Sequence, residues 1–146
     1  MKWIKQYKKI NHIFLMNDKS SVSKGFNRHF FDFLNDILNI YPENKDIKFA
    51  IRSFENIKKL NTTIIIKVWK KQVYDPYQKE IDDGNIDFFI EKDYKADLGD
   101  IGQAAEIVKI IENVKGPIRS MDAKNKEFCA KYIQNLSKLS KIYSTL

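Results

Sequence analysis

The sequence predicts an all-α protein, a single-domain compact bundle of five or six helices with an N-terminal amphipathic helical extension. Three observations carry that reading. Apolar residues recur at three- and four-residue steps in one segment after another, the spacing that lines one face of a helix. Only one run, Thr62 to Ile66, is β-branched enough for a strand, and a solitary strand leaves its backbone groups unpaired. The chain has 146 residues, 43% of them hydrophobic, with 5 Gly and 3 Pro, which fits one sizeable core and argues against linker-rich or low-complexity architecture.

Residues 1–19 form a basic extension in which Trp3, Ile4, Tyr7, Ile10 and Phe14 fall at helical spacing among lysines. The body, 20–146, opens on Ser20, Ser21 and Ser23 as candidate N-caps. Phe26, Phe30, Phe33, Leu34, Ile37 and Tyr41 then line the first stripe, closed by Pro42. Asn44 caps a second helix carried by Ile47, Ala50, Ile51, Phe54, Ile57 and Leu60, ending near Asn61. Although Thr62 to Ile66 is locally strand-like, Ile65, Val68, Trp69 and Val73 keep the helical step, so this stretch is assigned to a helix. Asp75 before Pro76 reads as a cap followed by a first-turn proline, predicting a short helix over 76–83 stopped by Gly84. One or two helical turns are expected over 85–98, turning Ile86, Phe88, Phe89, Ile90, Tyr94 and Leu98 inward. Asp100 caps the next helix, with Ile101, Ala104, Ala105, Val108, Ile111 and Val114 on its stripe and Gly116-Pro117 at its end. Asp122 or Ser120 opens the last, which presents Phe128, Tyr132, Leu136, Leu139 and Tyr143 on one face.

The net charge of +7 is unevenly spread. Residues 1–28 carry seven basic residues against one acid, residues 75–100 nine acids against three lysines, and residues 121–146 five basic residues against two acids. Of the 26 basic residues 23 are Lys, and with 21 Ile and 12 Asn this is the signature of A/T-rich codons, so total basicity is weak evidence of a polyanionic partner. Lys also lacks the bidentate fork that Arg brings to phosphates. The strongest apolar runs, Ile64 to Ile66 and Phe88 to Ile90, are each broken within a few residues by Lys67 and Glu91, so no membrane span is expected. The apolar stretch Ile13 to Met16 is too short for a secretory signal, and a mitochondrial presequence favours Arg over these lysines. The single cysteine, Cys129, excludes an internal disulfide and suits a reducing, intracellular compartment.

No constellation singles out a catalytic centre. An EF-hand register on Gly84 puts Lys79 and Ile81 where oxygen ligands are required. Cys129 with His12 or His29 is the only thiol-imidazole combination, and Cys129 sits beside an apolar stripe with nothing basic to hold a thiolate. Gly99 and Gly102 lack the residues that complete a nucleotide-binding loop. Catalytic residues, metal ligands and cofactors are therefore all expected to be none. Two binding surfaces stand out instead. Lys2, Lys5, Lys8 and Lys9, interleaved with Trp3 and Tyr7, together with Lys124, Lys131 and Lys138 at seven-residue spacing, are candidates for a salt-sensitive nucleic-acid contact. Trp69, Tyr74 and Tyr77 with Asp82, Asp83 and Asp87 are candidates for docking a protein partner.

Four stretches together, Phe26-Asn27-Arg28-His29-Phe30-Phe31-Asp32-Phe33-Leu34, Lys67-Val68-Trp69, Gly84 to Tyr94 and Tyr132 to Lys141, resemble a group of small Lys/Asn/Ile-rich helical proteins encoded by giant nucleocytoplasmic DNA viruses. The likeness covers roughly residues 20–144. It implies a viral setting, in host cytoplasm, virus factory or virion, and brings no catalytic residues. The function expected is that of a non-enzymatic helical interaction protein, a virion or assembly component docking partners through its acidic middle and basic ends. The alternative is a nucleic-acid-associated accessory factor for viral transcription, replication or packaging.

Overall fold

The computed structural model describes residues 18–94 and 104–146. Among these residues there is no strand, and six helical rods form an all-α bundle. They are α1 (Lys19–Ile40), α2 (Lys45–Leu60), a composite rod, α5 (Ile86–Glu91), α6 (Ala104–Arg119) and α7 (Ala123–Thr145). The composite rod joins α3 (Ile64–Val68), a π-helical stretch (Trp69–Tyr74), a 3-10 turn (Asp75–Tyr77) and α4 (Gln78–Asp82). α1 packs chiefly along α7 and α2 along α6, while the π-helical stretch lies against α7. Leu98, Asp100 and Ile101 fall outside the described residues, as do Lys2, Lys5, Lys8 and Lys9.

α1 starts earlier than its serines imply. The Asp18 carboxylate accepts the Ser21 N–H at 2.8 Å and the Ser21 hydroxyl at 2.7 Å. A charged acceptor is the stronger cap at the positive end of a helix dipole, and these bonds from Ser21 hold the Asp18 carboxyl below its ordinary pKa. The 19/20 division thus falls within the first helical turn. Asn44 caps α2 as expected, its Oδ1 accepting the Ile47 N–H at 2.9 Å.

The β-branched run is helical, and Ile65 and Ile66 are completely buried, so packing overrides local propensity. Beyond it the backbone departs from the expected pattern. Asp75 is no cap: it has helical dihedrals, and its N–H reaches five residues back to the Lys70 carbonyl. That wider π turn rotates Tyr74 toward the face already used by Trp69 and Val73, and Trp69, Gln72, Val73 and Tyr74 all become buried. Gly84 does end the rod, with φ of 73°, a conformation that side chains with a Cβ avoid.

Gly116-Pro117 does not end α6, which runs on to Arg119. Pro117 sits in the last turn, where its missing N–H costs one bond, and the burial of Pro117 and Ile118 offsets that loss. Ser120 and Met121 then donate to the carbonyls of Pro117 and Ile118 in tighter closing turns. Two residues expected on apolar stripes face solvent. Leu60 is the last residue of α2 and is 86% exposed, and Ala105 yields its place to Ile107 and Ile110.

The core centres on Trp69. Its ring meets Phe26 and Phe30 edge-on at 6.2 and 5.8 Å, and Phe30 stacks on Phe54 at 5.2 Å. The indole N–H donates to the Ser137 hydroxyl of α7 at 2.9 Å, and both residues are buried. Replacing Ser137 by Ala leaves that N–H unpaired inside the protein. Ser137→Ala is expected to destabilise the fold by about 1–3 kcal/mol, read as a lower urea midpoint with an unchanged m-value.

Candidate nucleic-acid interface

The fold brings cations together in a way that local sequence patterns do not announce. On α1, Lys19, Lys24 and Arg28 lie along the solvent side of the Phe26/Phe30 stripe, with Ser23, Asn27 and Phe31 between them at helical spacing. The last turns of α2 carry Glu55, Lys58 and Lys59, cations that suit the negative end of a helix dipole. These two edges, the Thr62 to Thr63 turn and Tyr143 of α7 enclose a groove of about 810 Å³.

The groove is held open by backbone. The Thr62 carbonyl accepts from Asn27 Nδ2 at 2.8 Å and from the Ser23 hydroxyl at 3.2 Å, tying the α2–α3 turn to α1. Asn27 is 6% exposed, and its Oδ1 is buried without a hydrogen-bond partner. A buried acceptor left in this state typically costs about 1–3 kcal/mol, so it is a feature that needs a reason.

Among the described residues, five cations and a single carboxylate line this space. The carboxylate, Glu55, pairs with Lys58 at 3.6 Å. Lys58 also lies over the rings of Phe31 and Phe54 at 5.9 and 5.7 Å, and Lys19 over Tyr143 at 5.1 Å. Among the described residues no carboxylate comes within ion-pair distance of Lys24, Arg28 or Lys59. The arrangement is suited to binding phosphate, and it holds neither a nucleophile nor a base aimed at a common point.

The residues singled out from sequence fare differently. Lys124, Lys131 and Lys138 are exposed along the outer side of α7, where Lys131 pairs with Glu127 at 3.6 Å. They form an exposed stripe apart from the groove, although Lys138 borders a smaller hollow with Lys141, Tyr74 and Asp82. Trp69 is consumed by the core and cannot dock a partner. Tyr74 is also buried, its hydroxyl shared between the two Asp82 oxygens at 3.2 Å, and burial followed by the Asp82 charge raises its pKa. Tyr77 is half-buried against Phe88 at 5.1 Å, with Lys92 over its ring. Asp82, Asp83 and Asp87 remain exposed.

Sequence reasoning missed Lys19, Lys24, Arg28, Lys58 and Lys59 as a set. Ser20, Lys24, Asn27 and Arg28 mark a polar face on α1, but only the tertiary contact to Thr62 sets it opposite the end of α2.

The thiol and the imidazole are unsuited to nucleophilic work. Burial pushes the Cys129 thiol up to about 12, with a smaller push from Asp36, and its Sγ lies 3.5 Å from the Met121 sulfur. Burial holds His29 down to about 3, its ring packed on Tyr132 at 4.6 Å. Tyr132 donates its hydroxyl to Asp36, and burial and that carboxylate raise the phenol's pKa. Among the described residues no group of three or more His, Cys, Asp and Glu is placed to hold a metal ion, and no helix is long and apolar enough to cross a membrane.

Comparison of the chain with protein-family models, with curated proteins and with solved structures finds no match.

Because His29 binds a proton near pH 6.5 when unfolded and only near pH 3 when folded, the unfolded state takes up more protons between those values, and stability falls with acidification. From pH 7 to pH 5 the loss is expected to be about 2 kcal/mol. Denaturant titrations of the protein and of His29→Gln at both pH values check this, the variant showing a flatter dependence.

Proposed function

We propose that this is a non-enzymatic helical interaction protein that holds the phosphate backbone of a nucleic acid in the groove between α1 and the end of α2, acting as an accessory factor. The observation that carries this reading is the ring of five cations around one groove whose only carboxylate among the described residues is tied to Lys58. Each bound phosphate releases condensed counterions, so such a surface gives salt-dependent association without demanding Arg forks. The resemblance to giant-virus proteins supplies the proposed setting, a virus factory, virion or infected cytoplasm. Docking of a basic protein partner is the second reading, favoured by the exposure of Asp82, Asp83 and Asp87. It is the weaker of the two because Trp69 and Tyr74, the aromatic anchors such an interface uses, are inside.

Anisotropy titrations of a labelled single-stranded oligonucleotide over rising salt test the proposal. The affinity should fall log-linearly with salt, and Lys58→Gln with Lys59→Gln should reduce the magnitude of the slope by about 1.4, roughly 0.7 for each phosphate no longer neutralised. Lys124→Gln, Lys131→Gln and Lys138→Gln together should leave the slope as it is. No binding in dilute buffer, or a slope indifferent to Lys58 and Lys59, removes the reading.

A further inference from the structure

We infer that Ser20 is a phosphorylation site, and that a phosphate placed there engages the cations of the groove and excludes the nucleic acid. This inference rests on the nucleic-acid reading above and supplies its regulation.

The three serines at the start of α1 are alike in sequence and are set apart by the fold. Ser21 gives its hydroxyl to the Asp18 carboxylate at 2.7 Å. Ser23 gives its own to the Thr62 carbonyl at 3.2 Å and is 4% exposed. Ser20 is exposed and borders the groove, and no described residue binds its hydroxyl. It stands four residues before Lys24 and eight before Arg28, on the helix face that carries both, with Lys19 beside it. An acid four residues ahead of a lysine is the favourable order for a pair on a helix, and the first helical turn favours negative charge. Asp18 is two residues back, a spacing at which side chains do not face each other. Thr62, also exposed at the groove, lies in the turn between α2 and α3, off both of these cationic faces. Phosphoserine at position 20 therefore suits α1 and brings about 1.5 to 2 negative charges to the cations that otherwise hold a strand. The donor is a nucleoside triphosphate presented by a serine kinase. The Ser20 Oγ bonds to the γ-phosphorus as the bond from that phosphorus to the β–γ bridging oxygen breaks, the hydroxyl proton passes to a base of the kinase, and the nucleoside diphosphate leaves.

The test uses the full chain with phosphoserine introduced during translation at position 20 or, as a control of equal charge, at Ser120. Ser120 is exposed and follows Arg119, which shares a hollow with Asp46 at the start of α2. The groove is at the other end of α2, whose 16 residues span about 24 Å. At about 0.1 M salt the Debye length is about 10 Å, so a charge at Ser120 is screened from the groove. Phosphate at Ser20 is expected to weaken binding of the labelled oligonucleotide at least about tenfold and to reduce the magnitude of the salt slope by about 0.7 to 1.4, one or two phosphate contacts. Phosphate at Ser120 should leave the slope as it is. Ser20→Glu, with a single charge, should move the slope the same way by a smaller amount, and it decides the matter if the phosphoprotein does not fold. Equal binding with and without the phosphate at Ser20, or equal weakening from both positions, overturns the inference and leaves the backbone reading intact. No binding by the unmodified chain overturns both. The transfer is followed with a purified serine kinase that selects basic flanks and labelled adenosine triphosphate, the sites being mapped by mass spectrometry. Label on Ser20 that is lost in Ser20→Ala is expected, and label confined to Ser21, Ser23 or Thr62 overturns the assignment.

Discussion

The burial of Trp69 is the constraint around which this bundle is organised. An indole inside a protein brings the largest apolar surface of any side chain and one N–H that must find an acceptor. Here Ser137 of α7 supplies it, and the ring lies against Phe26, Phe30 and Phe89. Four elements are thereby fixed to one another: α1 through Phe26 and Phe30, α5 through Phe89, α7 through one hydroxyl, and the composite rod that carries Trp69. The π turn serves the same interior, because it turns Tyr74 toward the face that Trp69 and Val73 already share.

The fold class is legible because it depends on repetition, and errors in single residues average out. Phe26 to Ile37 and Ile47 to Phe54 mark their helices whatever their neighbours do. The local departures are where a backbone rule yields to packing. Asp75-Pro76 has the form of a helix start, yet the rod continues through it because burying Tyr74 keeps the chain turning. Gly116-Pro117 has the form of a helix end, yet Pro117 and Ile118 fill the core from one more turn. Neither outcome is encoded in the few residues around it.

The cationic groove is the least legible part, for a related reason. Charge counted along the chain favours the far N-terminal lysines and the even-spaced lysines of α7, which are compositional signals. The groove instead depends on three separate segments meeting, with Lys24 and Arg28 ordinary on their own helix and Lys58 and Lys59 ordinary at a helix end. Asn27 is more hidden still. In sequence it is one of 12 asparagines, and only its burial and its bond to Thr62 set it apart.

The double acceptance by the Thr62 carbonyl has a thermodynamic consequence for anything that enters. Because Ser23 and Asn27 both grip a main-chain oxygen, the walls are set before a guest arrives, and backbone entropy has already been surrendered during folding. What remains to be ordered is confined to lysine and arginine tips, whose methylene stems are long and whose heads stay hydrated. Association at such a surface should be fast and weakly demanding in heat capacity, the behaviour of a rigid socket ringed by soft charges.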